Sequence, residues 1–295
     1  MSGIKGALVY IKSKVLSIYH TRKRFYIIPW TIILLVILSA VFADFIAPHS
    51  PLAISLPNKL KPPFWMEGGS TEFLLGADAI GRDILSRIIF GARISIIVAV
   101  AGLAIAGFIG GFLGLIAGYY GRWVDALIMR TCDTMLSFPI IIVALLLAVV
   151  LGPSFSNVII ILTLVLWARY ARMVRGEVLS WKQRDFVDYA RVAGVSPVRI
   201  MIRHLFPNIL NSLVVLMTLQ AGYVIIMEAS LSFLGVGVPP PTPSWGGMTS
   251  EGRQYIADAW WVSLFPGLTI VFTCLSLNLI GDWLREHLDP KMRQI

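Results

Sequence analysis

DFVDYARVAGVSPVRIMIRHLFPN, residues 185–208, is a charged, amphipathic stretch set between two long apolar runs. Asp185 is suited to cap a helix N-terminus, and Asp188 favours the same positive end. From there Phe186, Tyr189 and Val192 or Ala193 share one helical face. Gly194 suits a left-handed helix stop. Ser196 and Pro197 read as an N-cap and a first-turn proline, so a second helix starts almost at once. It is predicted to run to about Phe206, with Pro207 ending it. Two short helices locked at a glycine corner make a stiff surface knob suited to docking another protein.

The flanking chain says where that knob sits. Hydrophobic residues make up 57% of the chain and charged ones 14%, which excludes a soluble globular fold because the uncharged runs are too long for any soluble core. Residues 25–43 carry no charge, enough to cross a bilayer core of roughly 30 Å. Residues 94–121 form a second run. Residues 134–168 are too long for one span, and Gly152-Pro153 divides them into 134–151 and 154–168. Runs at 209–227 and 259–281 complete six predicted spans.

Lysine and arginine set the orientation. With the N-terminus in the cytoplasm, 19 of the 25 basic residues fall on the inner side. The positive-inside rule therefore puts both ends and the knob in the cytoplasm of a prokaryotic inner or plasma membrane. The resulting organisation is an inner tail at 1–24, a first span at 25–47 and an outer loop with an amphipathic segment at 48–93. A five-helix membrane domain follows at 94–284, with its loop at 171–208, and then an inner tail at 285–295. The basic tail before the first run fits an uncleaved anchor rather than a signal peptide. The net charge of +9 is then topological, and no nucleic acid is expected as a partner.

Several function classes lack their residues. No Gly-x-x-x-x-Gly-Lys-Ser/Thr loop is present to hold nucleotide phosphates, and neither His-Glu-x-x-His nor Gly-x-Ser-x-Gly occurs. His20, His49, His204 and His287 are scattered, and Cys132 and Cys274 read as small reduced hydrophobes, so no metal site is expected. Spans almost free of ionisable groups argue against an intramembrane enzyme and against ion-driven transport. A secondary transporter, a channel or a membrane scaffold subunit would be the readings from other classes. The energy source is expected to be another subunit.

Residues 185–208 resemble the EAA loop of permease subunits in binding-protein-dependent ABC importers. Asp188-Tyr189-Ala190 stands at the acidic-Ala-Ala element, Gly194 at the glycine and Pro207 at the proline. Asp replaces Glu, and Tyr189 replaces Ala. The stretches LGADAIGRDILSRIIFGARIS (75–95) and EASLSFLGVGVPPPTPSW (228–245) resemble segments of dipeptide, oligopeptide and nickel permeases. So do Gly281-Asp282-Trp283-Leu284-Arg285 and Leu288-Asp289-Pro290, on the side of the C-type permease.

The resemblance implies an all-α membrane protein of the type I importer architecture, with six transmembrane helices and a cytoplasmic coupling loop. The chain would be a transport subunit without enzymatic activity or a bound cofactor, since ATP and Mg would belong to partners. Those partners would be a homologous second permease, two ATP-binding subunits and an extracytoplasmic solute-binding protein. Asp185, Asp188, Tyr189, Ala190, Arg191, Gly194, Ser196, Pro197 and Pro207 would form the coupling element. Peptides are the expected cargo, with nickel, glutathione or an oligosaccharide as alternatives.

Two further features come from the residues themselves. Gly107, Gly110, Gly111, Gly114 and Gly118 have spacings of four that let helices approach closely on two neighbouring faces, as static packing or as a sliding seam. Glu228 falls near the outer end of its span, where it need not be buried in lipid and would be a structural pair or cap, or a gate or substrate contact. Asn211, Ser212, Thr218, Gln220, Ser276 and Asn278 are sparse polar residues of the last two spans, and none is assigned to substrate.

Overall fold

A computed structural model describes residues 26–288. The inner tail at 1–24, the first residue of the first predicted span and the Asp289-Pro290 pair lie outside them. The described chain is helical: α1 (Ile27–Val41), α2 (Ile84–Tyr120), α3 (Arg122–Ser137), α4 (Ile140–Leu151), α5 (Phe155–Trp181), α6 (Asp185–Val192), α7 (Pro197–Phe233), α8 (Trp245–Gly252) and α9 (Trp261–Leu288). No β-strand occurs among the described residues, only an isolated bridge between Ala77 and Asp83.

Four helices, α2, α5, α7 and α9, are long and apolar enough to cross a membrane. The pair α3 and α4 passes the same test together but bends by 91° between its halves. α1 is a shorter apolar helix of 15 residues. The third predicted span is therefore not one helix. Pro139 has no amide hydrogen and forces Phe138 into an extended conformation (φ −90°, ψ 145°), which ends α3. The division at Gly152 holds: Gly152 caps α4 at φ +79°, and the Ser154 side chain accepts from the Asn157 amide to start α5.

Two helices outrun the charge-free runs that announce them. α2 begins at Ile84 rather than 94, capped by Asp83, whose carboxylate accepts from the Ser86 amide at 2.9 Å and hydroxyl at 2.6 Å. At 37 residues it is about 55 Å long, more than the roughly 30 Å hydrocarbon needs. α5 continues past Ala168 to Trp181, where arginines of its C-terminal half are paired: Arg175 with Asp125 and Arg172 with Asp133, both on α3.

The core lies where α2, α5 and α7 meet, with α9 and α1 packed outside it. Trp30 of α1 meets Trp283 of α9 edge to face at 5.8 Å. At the other end, the segment between α1 and α2 covers the head of α9, where Trp261, Val262 and Ala259 pack with Ile84, Met248 and Leu60.

Candidate functional site

Arg184 is extended (ψ 142°) and α6 starts at Asp185, so Asp185 is the first helical residue and not the cap expected of it. No side chain caps this end. Asp185 and Asp188 both lie in the first turn, where negative charge complements the helix dipole. Asp188 Oδ1 also accepts from Arg191 Nη1 at 2.8 Å, an exposed pair of small energetic weight.

The corner itself forms as its residues predict. Gly194 has φ +75°, its amide donates to the Arg191 carbonyl at 3.0 Å, and the Val195 amide donates to the Ala190 carbonyl at 3.0 Å. That pair of bonds is a Schellman stop. Ser196 then sits at the N-cap position, though its hydroxyl makes no capping hydrogen bond, and Pro197 at the first helical residue, with the Ile200 amide donating to the Ser196 carbonyl at 3.0 Å.

Pro207 does not end the second helix. Residues Ile200–Leu205 wind as a π-helix, in which Phe206 donates to the Met201 carbonyl, and the chain runs on as α-helix to Phe233. The wider turn takes up the proline's missing donor and ring bulk, so the helix continues through it. The knob's second helix and the next span are one element.

Val187 and Ala190 bury one face of α6 against Ile200, Met201 and Leu205. Phe186 leans between Trp181 and His204, with ring centres 6.3 and 6.5 Å away. Tyr189 and Val192 point out, 74% and 89% exposed, with Val198 and Ile202 exposed beyond the corner. Apolar and aromatic groups are thus exposed together on a stiff corner, as groups suited to docking would be.

Behind the corner, Lys182 donates to the carbonyls of Gly118 and Tyr119 and lies 5.5 Å from the Tyr119 ring. These carbonyls belong to the last turn of α2, which has no intrahelical donor for them. Burial pulls the Lys182 ammonium below the ordinary lysine pKa; Arg191 adds to this and Asp125 opposes it.

The five glycines singled out by their spacing in α2 divide between two partners. A Cβ at Gly110 would stand 2.3 Å from the Trp167 carbonyl, at Gly114 2.4 Å from the Ala171 carbonyl, and at Gly118 2.7 Å from Val178 Cβ, all on α5. One at Gly107 would lie 3.0 Å from Met217 Sδ and one at Gly111 3.4 Å from Leu213, both on α7. The two neighbouring faces read from the spacing are thus two helix contacts, very tight toward α5 and looser toward α7. Gly222 and Gly281, not singled out by spacing, play the same part between α7 and α9.

Glu228 is 1% exposed, enclosed by the protein itself. Its carboxylate accepts from Ser232 Oγ at 2.8 Å and Ser95 Oγ at 3.4 Å, and Ser232 Oγ accepts from the Val238 amide at 3.2 Å. It ties α7 to α2 and to the segment after α7. A second polar cluster escaped the sequence. Asp78 accepts from Arg82 Nε at 2.6 Å and from Arg87, and both arginines reach Glu251 at 2.8 Å. The cluster borders a cavity of about 370 Å³ whose lining includes Arg87, Thr242, Ser244, Glu251 and Arg253.

Comparison with known proteins agrees with this arrangement. Residues 110–294, from the glycine seam through the corner to the last helix, match the family described as binding-protein-dependent transport system inner membrane component. The chain is 44% identical over 276 residues to the dipeptide transport system permease protein DppC of Escherichia coli K12, covering 94% of this chain and 92% of that one. It is 42% identical over 260 residues to the di/tripeptide transport system permease protein DppC of Pseudomonas aeruginosa UCBPP-PA14, covering 88% and 86%. A putative peptide transport system permease protein of Brucella suis biovar 1 is 41% identical over 272 residues, covering 92% and 90%. The chain belongs to the binding-protein-dependent transport permease family and is a multi-pass membrane protein.

Proposed function

We propose that this chain is one permease of a paired, ATP-driven peptide importer, forming half of the translocation pathway. The relatives named for dipeptide and di/tripeptide transport support the cargo. The observation that carries the mechanism is the Schellman-locked corner, which presents Tyr189 and Val192 outward while sharing one helix with a membrane-crossing rod. Two ATP-binding subunits holding ATP and Mg close on nucleotide, and one of them grips α6. The corner then moves with α7, and the close seams of α2 redistribute between inward- and outward-facing packings. An extracytoplasmic solute-binding protein delivers the peptide, both chain ends lie in the cytoplasm, and α1 and the bent α3–α4 pair bring the crossings to six.

The test is reconstitution. Purified alone, the chain hydrolyses no ATP and moves no peptide. Co-expressed with a second permease, the ATP-binding subunits and a solute-binding protein, it imports labelled di- and tripeptides into vesicles in an ATP-dependent way. Import by the isolated chain, or import of nickel, glutathione or an oligosaccharide in place of peptide, overturns this reading.

A further inference from the structure

Arg169 is a guanidinium placed deep along a membrane-crossing helix. It lies about 21 Å along the axis of α5 from Phe155, close to the middle of the 27-residue helix. The charge-free run read from the sequence stops one residue short of it, at Ala168. The helix does not, and the remaining arginines of α5 differ from it: Arg172 and Arg175 each pair with an aspartate of α3.

Arg169 is held otherwise. Its Nη1 donates to Gln220 Oε1 at 3.1 Å and its Cζ lies 5.7 Å from the Tyr223 ring centre, both partners on α7. Among the described residues no carboxylate stands within salt-bridge distance. Arg169, Gln220 and Tyr223 are all only half-buried, so the group keeps an open side where α5 and α7 meet. An arginine at this depth is costly unless it faces protein or water and has a counter-charge to meet. One neutral amide and one ring face fix its direction and leave most of its five donors unused.

We propose that Arg169, aimed by Gln220 and Tyr223, receives the carboxylate of the passing substrate in this half of the pathway, which rests on the peptide-importer reading above. A peptide is a zwitterion whose C-terminal carboxylate matches the guanidinium fork. A neutral cradle suits a transit site, because no resident carboxylate has to be displaced on arrival. The competing occupant is a carboxylate from the second permease.

The experiment uses the complete importer in vesicles, with its solute-binding protein. Initial uptake and ATP hydrolysis are measured for a tripeptide and for its C-terminal amide, with wild type, Arg169→Gln and Arg169→Lys. Losing a charged hydrogen-bonded contact in the transport step lowers maximal uptake of the free-acid peptide about ten-fold in Arg169→Gln. Half-saturation is unchanged, since the solute-binding protein sets it. Subunit composition and basal ATP hydrolysis are retained, Arg169→Lys recovers most of the uptake, and the amide is affected less than about two-fold. Wild-type uptake in Arg169→Gln, no recovery with Arg169→Lys, or an equal loss for acid and amide overturns the proposal. So does loss of the second permease from the purified complex, which assigns the guanidinium to the subunit interface. Failure of the wild-type complex to import any peptide instead overturns the importer reading beneath it.

Discussion

Lys182 donates to the carbonyl of Tyr119, 63 residues earlier in the chain, and so fastens the approach to the Gly194 corner onto the C-terminal end of the glycine-rich helix. The ammonium also complements the negative pole of α2. Two elements that are remote in sequence, α2 and α6, thereby share one anchoring side chain.

Lys182→Met removes that anchor while keeping its length. The loss of a charge at a helix C-terminus costs roughly 0.3–1 kcal/mol, so the complex should still assemble. Peptide taken up per ATP hydrolysed should fall about two- to five-fold, read as the ratio of uptake to phosphate release in vesicles.

Gly194→Val should strain the corner by about 1–2 kcal/mol or more, since its φ of +75° disfavours a β-branched residue. Nothing lies within 4 Å of a Cβ built there, so the effect is conformational rather than a clash inside this chain. Gly194→Asn, which tolerates the left-handed region, should be milder. Co-purification of the ATP-binding subunits measures both, and equal recovery for the two variants would refute the Schellman argument.

Gly110→Val should disrupt the α2–α5 contact, because even its Cβ meets a backbone carbonyl at 2.3 Å. Overpacking of this kind costs about 1–3 kcal/mol or more. Gly111→Ala, with a neighbour at an ordinary 3.4 Å, should be tolerated. Thermal melts of the detergent-solubilised complex should separate the two.

Asp78→Asn leaves two buried guanidiniums with only the half-exposed Glu251 to balance them. Breaking a buried pair by removing one partner costs about 3–5 kcal/mol. The variant should insert in the membrane but lose order in the segment between α1 and α2, seen as faster proteolysis there. The matched change Thr242→Val, at an exposed position, should not.

Topology is tested by single cysteines in a background where Cys132 and Cys274 are replaced. Ser196→Cys should react with an impermeant thiol reagent only from the cytoplasmic side, and Thr242→Cys only from outside. Reaction of both from one side would remove the coupling role from α6.

What the sequence reveals here is the middle of each span, and what it hides is the ends. The runs at 94–121 and 154–168 are plain because they carry no charge. Their continuations to Ile84 and Trp181 are hidden because Arg93, Arg87, Arg172 and Arg175 look like boundaries until their partners are known. Glu251 lies 164 residues from Arg87, and Asp125 lies 50 from Arg175, so no local pattern announces either pair. The same cut at Ala168 conceals Arg169.

The corner was legible where its chemistry is local. Gly194, Ser196 and Pro197 each do what their backbone preferences dictate. Asp185 misses its expected place by one residue because the extended backbone at Arg184 already opens the helix. Pro207 defeats the stop rule because that rule assumes α-helical bonding, and a π turn supplies another pattern. Phe138-Pro139 shows the converse: an apolar run conceals a break that the proline enforces.

The continuity of α7 through Pro207 has a mechanical consequence. From Pro197 to Phe233 the chain is a rod about 55 Å long, pinned where Gly222 lets the Cys274 carbonyl come within 3.0 Å of its missing Cβ. The inner arm, Pro197 to Gly222, measures about 38 Å and the outer arm about 17 Å. Any tilt about that pin is therefore geared down, a broad stroke at the Pro197 end becoming a travel of less than half that size, in the opposite direction, beside the Glu228–Ser232 latch.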